Sequence, residues 1–183
     1  MKVSTQLIER VINKERKAQL ELYRICFSTL MSVAFRYKKN EAEAAALSND
    51  AFLKILLNIS KYNTETPINA WVRRIAINNA IDDYRKNKKR EETIETVDNF
   101  DNIEEADYFE LNNEIEYQEL NKMLLSLPNA TRVVFNLFAI DGYSHKEITE
   151  ELNIKLETSK WHMKEARKRL KALLIKRTSV NEI

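Results

Sequence analysis

Tyr23, Phe27, Leu30, Met31 and Ala34 recur at steps of three and four, the period of one buried face of an α-helix. Ala45, Phe52, Ile55, Leu56 and Ile59 repeat that pattern further along. The polar stretch from Lys61 to Thr66 interrupts it, and Thr66-Pro67 then reads as an N-cap followed by a residue suited to the first helical position. A long helix is therefore expected from Pro67 to about Arg90, burying Ile68, Trp71, Val72, Ile75 and Ala76, with Asn79 near the seam.

Pro128 resets the chain into a helix containing Arg132, Val133, Val134, Phe135, Leu137 and Phe138, in which Arg132 is read as structural. Asp141-Gly142 is a turn pair, and Ser144 with Glu147 forms a capping box, so a short helix should start at His145 and turn inward Ile148 and Leu152. Asn153 stands where a left-handed residue commonly reverses the chain. Glu157-Thr158 then opens a longer helix whose stripe is Met163, Ala166, Leu170, Leu173 and Leu174, leaving Lys160, Trp161, Lys164 and Lys168 outside. Short helix, turn of about four residues and long helix make a helix-turn-helix, whose second helix enters the DNA major groove.

Composition supports an all-α protein. Among 183 residues there is one Gly and there are two Pro, too few for the hairpins, barrels and phosphate loops that depend on them. Hydrophobic residues at 44% and charged ones at 32% suit a chain that buries a core. One Cys and two His make neither an intramolecular disulfide nor a zinc site by spacing, so no metal and no cofactor is expected. With no signal-peptide pattern at the N-terminus and no run near ~20 apolar residues, a soluble cytoplasmic protein is expected.

Charge is unevenly placed. Residues 1–90 carry 18 basic and 9 acidic side chains, residues 91–117 carry none and 11, and residues 118–183 carry 12 and 8. Two basic halves flanking an acidic strap suggest two small helical domains on a flexible acidic linker, each domain suited to a polyanion. The strap is read as a tether, either a solubilising spacer or a shield lying over the basic halves. The expected division is 1–90, 91–117, 118–177 and a tail at 178–183.

Three blocks give the sequence a family resemblance: Ser48 to Lys54, Ala70 to Arg85, and Leu127-Pro128 through Glu147-Ile148 to Leu170. Within the second, Ala70, Trp71, Arg74, Ile75, Ala76, Asn78, Asp82 and Arg85 meet a family pattern position by position. In order and separation the blocks resemble a bacterial RNA polymerase sigma factor of the extracytoplasmic-function type, in the sigma-70 family. The resemblance covers nearly the whole chain. It implies a region 2-like domain in 1–90, which docks on the clamp helices of core RNA polymerase and opens the promoter −10 element. A region 4-like helix-turn-helix in 118–177 would read the −35 element.

By the same resemblance Asn49, Asp50 and Lys54 are the candidates for core polymerase binding, with Phe52 read as core. Tyr62 and Asn63 in the loop 61–66 would receive a flipped −10 base, with Arg74, Asn78 and Arg85 gripping the strand. Trp71 is read as core and not as a melting wedge. Thr158, Lys160, Trp161, His162 and Lys164 occupy the −35 reading stretch, and Arg167 and Lys168 lie further along, where phosphate contact is expected. Asn49 departs from the family's usual Gln, Asn153 from its common Gly, and Trp161 from smaller or polar residues. Core polymerase and promoter DNA are the implied partners, with an anti-sigma protein as a further one and no small-molecule substrate.

Two rivals stand beside this reading. A self-sufficient helix-turn-helix regulator would bind duplex tightly without polymerase, but leaves the first two blocks unexplained. For an enzyme, neighbouring carboxylates such as Asp82-Asp83 and Glu150-Glu151 point ~100° apart on a helix and do not converge on one substrate.

Overall fold

A computed structural model describes residues 3–93 and 114–180. Those residues are helical with short connections, and no strand occurs among them. The chain divides into two compact units, one up to Glu92 and one from Thr93. The acidic strap, as a tether or shield, lies largely outside the described residues, as does the end of the tail.

The first unit comprises α1 (Thr5–Ile12), α2 (Arg16–Tyr37), α3 (Glu41–Asn58), a 3-10 turn (Ile59–Lys61) and α4 (Ile68–Thr93). Helix α1, which the sequence reading did not anticipate, is short but sharply amphipathic. Ser4 caps its first turn by accepting from the Leu7 N–H, and Leu7, Ile8 and Val11 are buried. Lys14 ends it in the left-handed region at φ 61°, with Lys14 N donating to the Val11 carbonyl and Glu15 N to that of Arg10. The helix packs on α2 and on the 3-10 turn.

Along α2 the buried residues are Ala18, Leu22, Cys26, Leu30, Val33, Ala34, Arg36 and Tyr37, so Leu30 and Ala34 of the expected row are buried, whereas Tyr23 and Met31 are half-buried and Phe27 is exposed. Both sets have helical spacing. The smaller side chains permit closer packing, and the aromatics are displaced to the flank, with Phe27 45% exposed. Helix α3 shifts similarly: Ala44, Leu47, Ser48, Ala51 and Ile55 face inward. Asn40 caps it, accepting from the Glu43 N–H at 2.8 Å.

Helix α4 buries Ile68, Val72, Ala76, Ile77, Ala80 and Ile81, while Trp71 and Ile75 are half-buried. Asn79, at 5% exposure, donates from Nδ2 to the Leu47 carbonyl at 3.0 Å and joins α4 to α3. The expected Thr66 cap is replaced by a different start. The Thr66 hydroxyl donates to the Asn63 carbonyl at 2.7 Å, and the helix begins at Ile68, with Ala70 N bonded to the Pro67 carbonyl.

The second unit comprises α5 (Glu114–Leu125), α6 (Asn129–Phe135), a π-turn (Asn136–Ile140), α7 (His145–Leu152) and α8 (Leu156–Val180). Leu124, Leu127, Val133, Val134, Leu137, Ile148, Leu152, Met163 and Ala166 are its buried apolar residues. Arg132, as expected, is structural: 2% exposed, it donates to the carbonyls of Leu125 and Leu127 and to Asn129 Oδ1. The guanidinium thereby satisfies carbonyls at the end of α5.

Candidate polymerase and promoter interfaces

Displacement of aromatics from the core creates the first surface. Tyr23 packs edge-on against Phe52 at 4.9 Å between ring centroids and lies 5.7 Å from Phe27. Phe52 therefore belongs to this partly exposed aromatic cluster on α2 and α3 and not to the closed core. Asn49 borders it, accepting from the Tyr23 hydroxyl at 3.5 Å. Asn49 and Asp50 are exposed, and Leu53 and Leu57 stand at 57% and 71% exposure on the same helix. Lys54 is engaged internally: its ammonium lies 2.7 Å from Asp82 of α4, whose other oxygen is 3.8 Å from Arg85. This exposed pair ties α3 to α4 more than it offers a free cation, and contributes ~0–1 kcal/mol.

The loop from Lys61 to Thr66 closes on itself. Tyr62, expected to meet a flipped base, is 7% exposed; its hydroxyl donates to the Thr66 carbonyl at 2.6 Å and its ring packs on Trp71 at 5.2 Å. Burial pushes the phenol above its usual pKa, opposed by the hydrogen bond to Thr66. Tyr62 thus holds the loop in shape and does not present a stacking face to solvent. Asn63 is exposed, and its Oδ1 accepts from the Glu65 N–H at 2.9 Å in a tight local turn. Beyond the loop, Arg74 and Asn78 are exposed one turn apart on α4, and Arg85 follows seven residues later on the same side. Half-buried Trp71 sits one turn before Arg74, between the core and this polar row.

In the second unit the turns form as their residues dictate. Gly142 adopts φ +78°, and a Cβ there would meet nothing within 4 Å, so backbone conformation alone selects glycine. Ser144 Oγ accepts from the Glu147 N–H at 3.2 Å, and the Ser144 N–H donates to Glu147 Oε2 at 2.8 Å. The Ser144 N–H and the Ser144 hydroxyl, which also donates to Glu147 Oε2 at 2.7 Å, hold the Glu147 carboxyl below its usual pKa. Asn153 reverses the chain at φ 49°, ψ 53°, and α8 starts three residues later.

Helix α8 has two faces. Met163 and Ala166 are buried and Leu170 is packed beside them, whereas Leu174 is 52% exposed, so the buried stripe stops before the expected end. Lys160, Trp161, Lys164, Arg167 and Lys168 are all exposed, with Trp161 at 57% and Lys160 paired to Glu157 at 3.0 Å. Thr158 and His162 do not share that face. Both are half-buried, and His162 Nδ1 shares a 3.0 Å hydrogen bond with Thr131 of α6. Helical spacing alone placed them near the outer row. The neighbouring α6 takes up that flank.

Residues 22–90 match the family described as Sigma-70 region 2, and residues 117–170 match Sigma-70, region 4. The chain belongs to the RNA polymerase sigma factors of the sigma-70 family, of the extracytoplasmic-function type. RNA polymerase sigma factor SigZ of Bacillus subtilis is 31% identical over 123 residues, covering 67% of this chain and 68% of its own. ECF RNA polymerase sigma factor SigW of the same organism is 27% identical over 181 residues, covering 91% and 94%. Among solved structures, RpoE in complex with the anti-sigma factor NepR from Bartonella quintana gives a TM-score of 0.49 at 22% identity, covering 84% of this chain and 94% of that one. Sigma factors are non-catalytic transcription initiation factors. This one binds core RNA polymerase and recognises promoters.

Proposed function

We propose a division of this work between the two units. The first docks on core polymerase through Asn49 and Asp50, extended by the aromatic cluster of Tyr23, Phe27 and Phe52 and by Leu53 and Leu57. Lys54 acts there by holding α3 against α4. Asn63 at the loop surface, with Arg74, Asn78 and Arg85 along α4, engages the −10 strand, and Tyr62 acts as the post that shapes the loop. The second unit reads the −35 element through Lys160, Trp161 and Lys164, while Arg167 and Lys168 contact phosphate. Thr158 and His162 serve as flank residues.

The exposed face of α8 carries this reading, because its cations and single exposed indole are aligned on the helix that follows the left-handed turn. Domain limits near 1–90 and 118–177 follow from the same division. The protein works without chemistry of its own, in the cytoplasm where polymerase and chromosome are, and an anti-sigma protein is a further partner by family resemblance.

The testing experiment uses holoenzyme on a promoter library randomised at −35. Lys160→Ala and Trp161→Ala should each change which bases are preferred, since a base-edge contact discriminates by ~1–3 kcal/mol. Retention of the parental preference by both variants would show that another face meets the groove.

A further inference from the structure

Ser159 interrupts an apolar row. It precedes Met163, Ala166 and Leu170 on the inner stripe of α8, at 0% exposure, where a hydroxyl without a partner is destabilising. Its partner comes from the other half of the helix-turn-helix: Oγ shares a 2.9 Å hydrogen bond with Nδ1 of His145, the first residue of α7. One turn later on α8, His162 Nδ1 shares its 3.0 Å bond with Thr131, which is 1% exposed on α6. Both histidines of the chain are therefore spent on linking α8 to the two helices beneath it.

Apolar packing of Met163 and Ala166 is non-directional and tolerates small rotations of a helix about its axis. Hydrogen bonds are directional, and two of them aimed at different neighbours define one rotation. His145 is itself held twice. The capping box of Ser144 and Glu147 anchors its backbone, and its ring stacks on Phe138 at 4.3 Å with the planes 22° apart.

We propose that the His145–Ser159 and Thr131–His162 pairs form a polar clamp whose role is to set the rotation of α8, making Ser159 and His145 positioning residues for −35 base selection. This deepens and rests on the reading that the outer face of α8 meets the −35 element. A rotation that left the fold intact would still move Lys160, Trp161 and Lys164 out of register with base edges. Phosphate contacts by long side chains tolerate such a shift better.

The test uses holoenzyme and the same −35 library, with full-length Ser159→Ala, His145→Leu and His145→Asn. Asn keeps a polar atom near the place of Nδ1. Ser159→Ala and His145→Leu should lower the preference for the best −35 sequence over single mismatches by about fivefold to tenfold. His145→Asn should recover most of it. Circular dichroism should show parental helicity, and opening of a fork template lacking −35 duplex should stay within about twofold, because the first unit is untouched. A parental preference profile in Ser159→Ala while Lys160→Ala alters it overturns the clamp and spares the −35 reading. Failure of His145→Asn to recover selectivity, or an equal loss on the fork template, also overturns the clamp. If the Lys160 and Trp161 variants change nothing either, both readings fall.

Discussion

At the scale of single residues, environment decides what a side chain does. Tyr23 and Tyr62 have the same chemistry, yet Tyr62 is closed in by Trp71 and Thr66, while Tyr23 lies in an aromatic cluster at the surface. His145 is the residue whose environment has the clearest consequence for pH. Burial, aided by Lys160 and Arg167, holds its imidazole below the usual 6.5. The unfolded chain therefore binds a proton that the folded chain resists. Stability from this group is complete above about pH 6.5 and declines as pH falls toward the lower folded value. The thermal midpoint of the parental chain should drop more steeply from about pH 7 to pH 5 than that of His145→Asn, whose side chain does not titrate. Equal slopes would contradict it. Asn79 provides a test in the first unit, because its bond to the Leu47 carbonyl is buried between α3 and α4. Asn79→Ala should lose about 1–2 kcal/mol in urea unfolding, and a change under about 0.5 kcal/mol would show that the bond is dispensable.

Elements were legible where a local rule determines them. The capping box at Ser144, the left-handed turn at Asn153 and the glycine turn at Gly142 need only their own residues, and all three form. Asn153→Val should cost about 1–2 kcal/mol, because a β-branched residue resists the left-handed region, whereas Asn153→Gly should be neutral or stabilising. Thermal unfolding of the two variants measures this, and a Val variant as stable as Gly would mean that the turn has shifted. What was not legible depends on partners distant in sequence. Helix α2 offers two apolar rows of equal periodicity, and only packing against α1 and α3 chooses the one built on Leu22 and Cys26. Helix α1 carried its own signal in Ser4, Leu7, Ile8 and Val11, a capped amphipathic helix of about two turns. The π-turn had no such signal, since the bond from Asp141 N to the Asn136 carbonyl spans five residues and falls outside a 3.6-residue period.

At the scale of the whole molecule, function was more legible than site detail. The charge division and the three ordered blocks identify a family from one sequence. The rotamers and neighbours that bury Tyr62, pair Lys54 with Asp82 and turn His162 toward Thr131 belong to tertiary packing. Basic residues in both units imply salt-dependent promoter binding. Lys168→Ala should weaken binding about equally on all −35 sequences and lower the salt slope by about one unit, read from holoenzyme titrations at several salt concentrations. A sequence-dependent loss would move Lys168 from phosphate to base contact.

Promoter recognition here is an activity of the chain joined to core polymerase, and permanganate reactivity of −10 thymines measures that directly. Core plus this chain should open a cognate promoter, while either component alone leaves the thymines protected. Tight, sequence-selective duplex binding by the chain alone, with no opening and no retention of core polymerase, would contradict it.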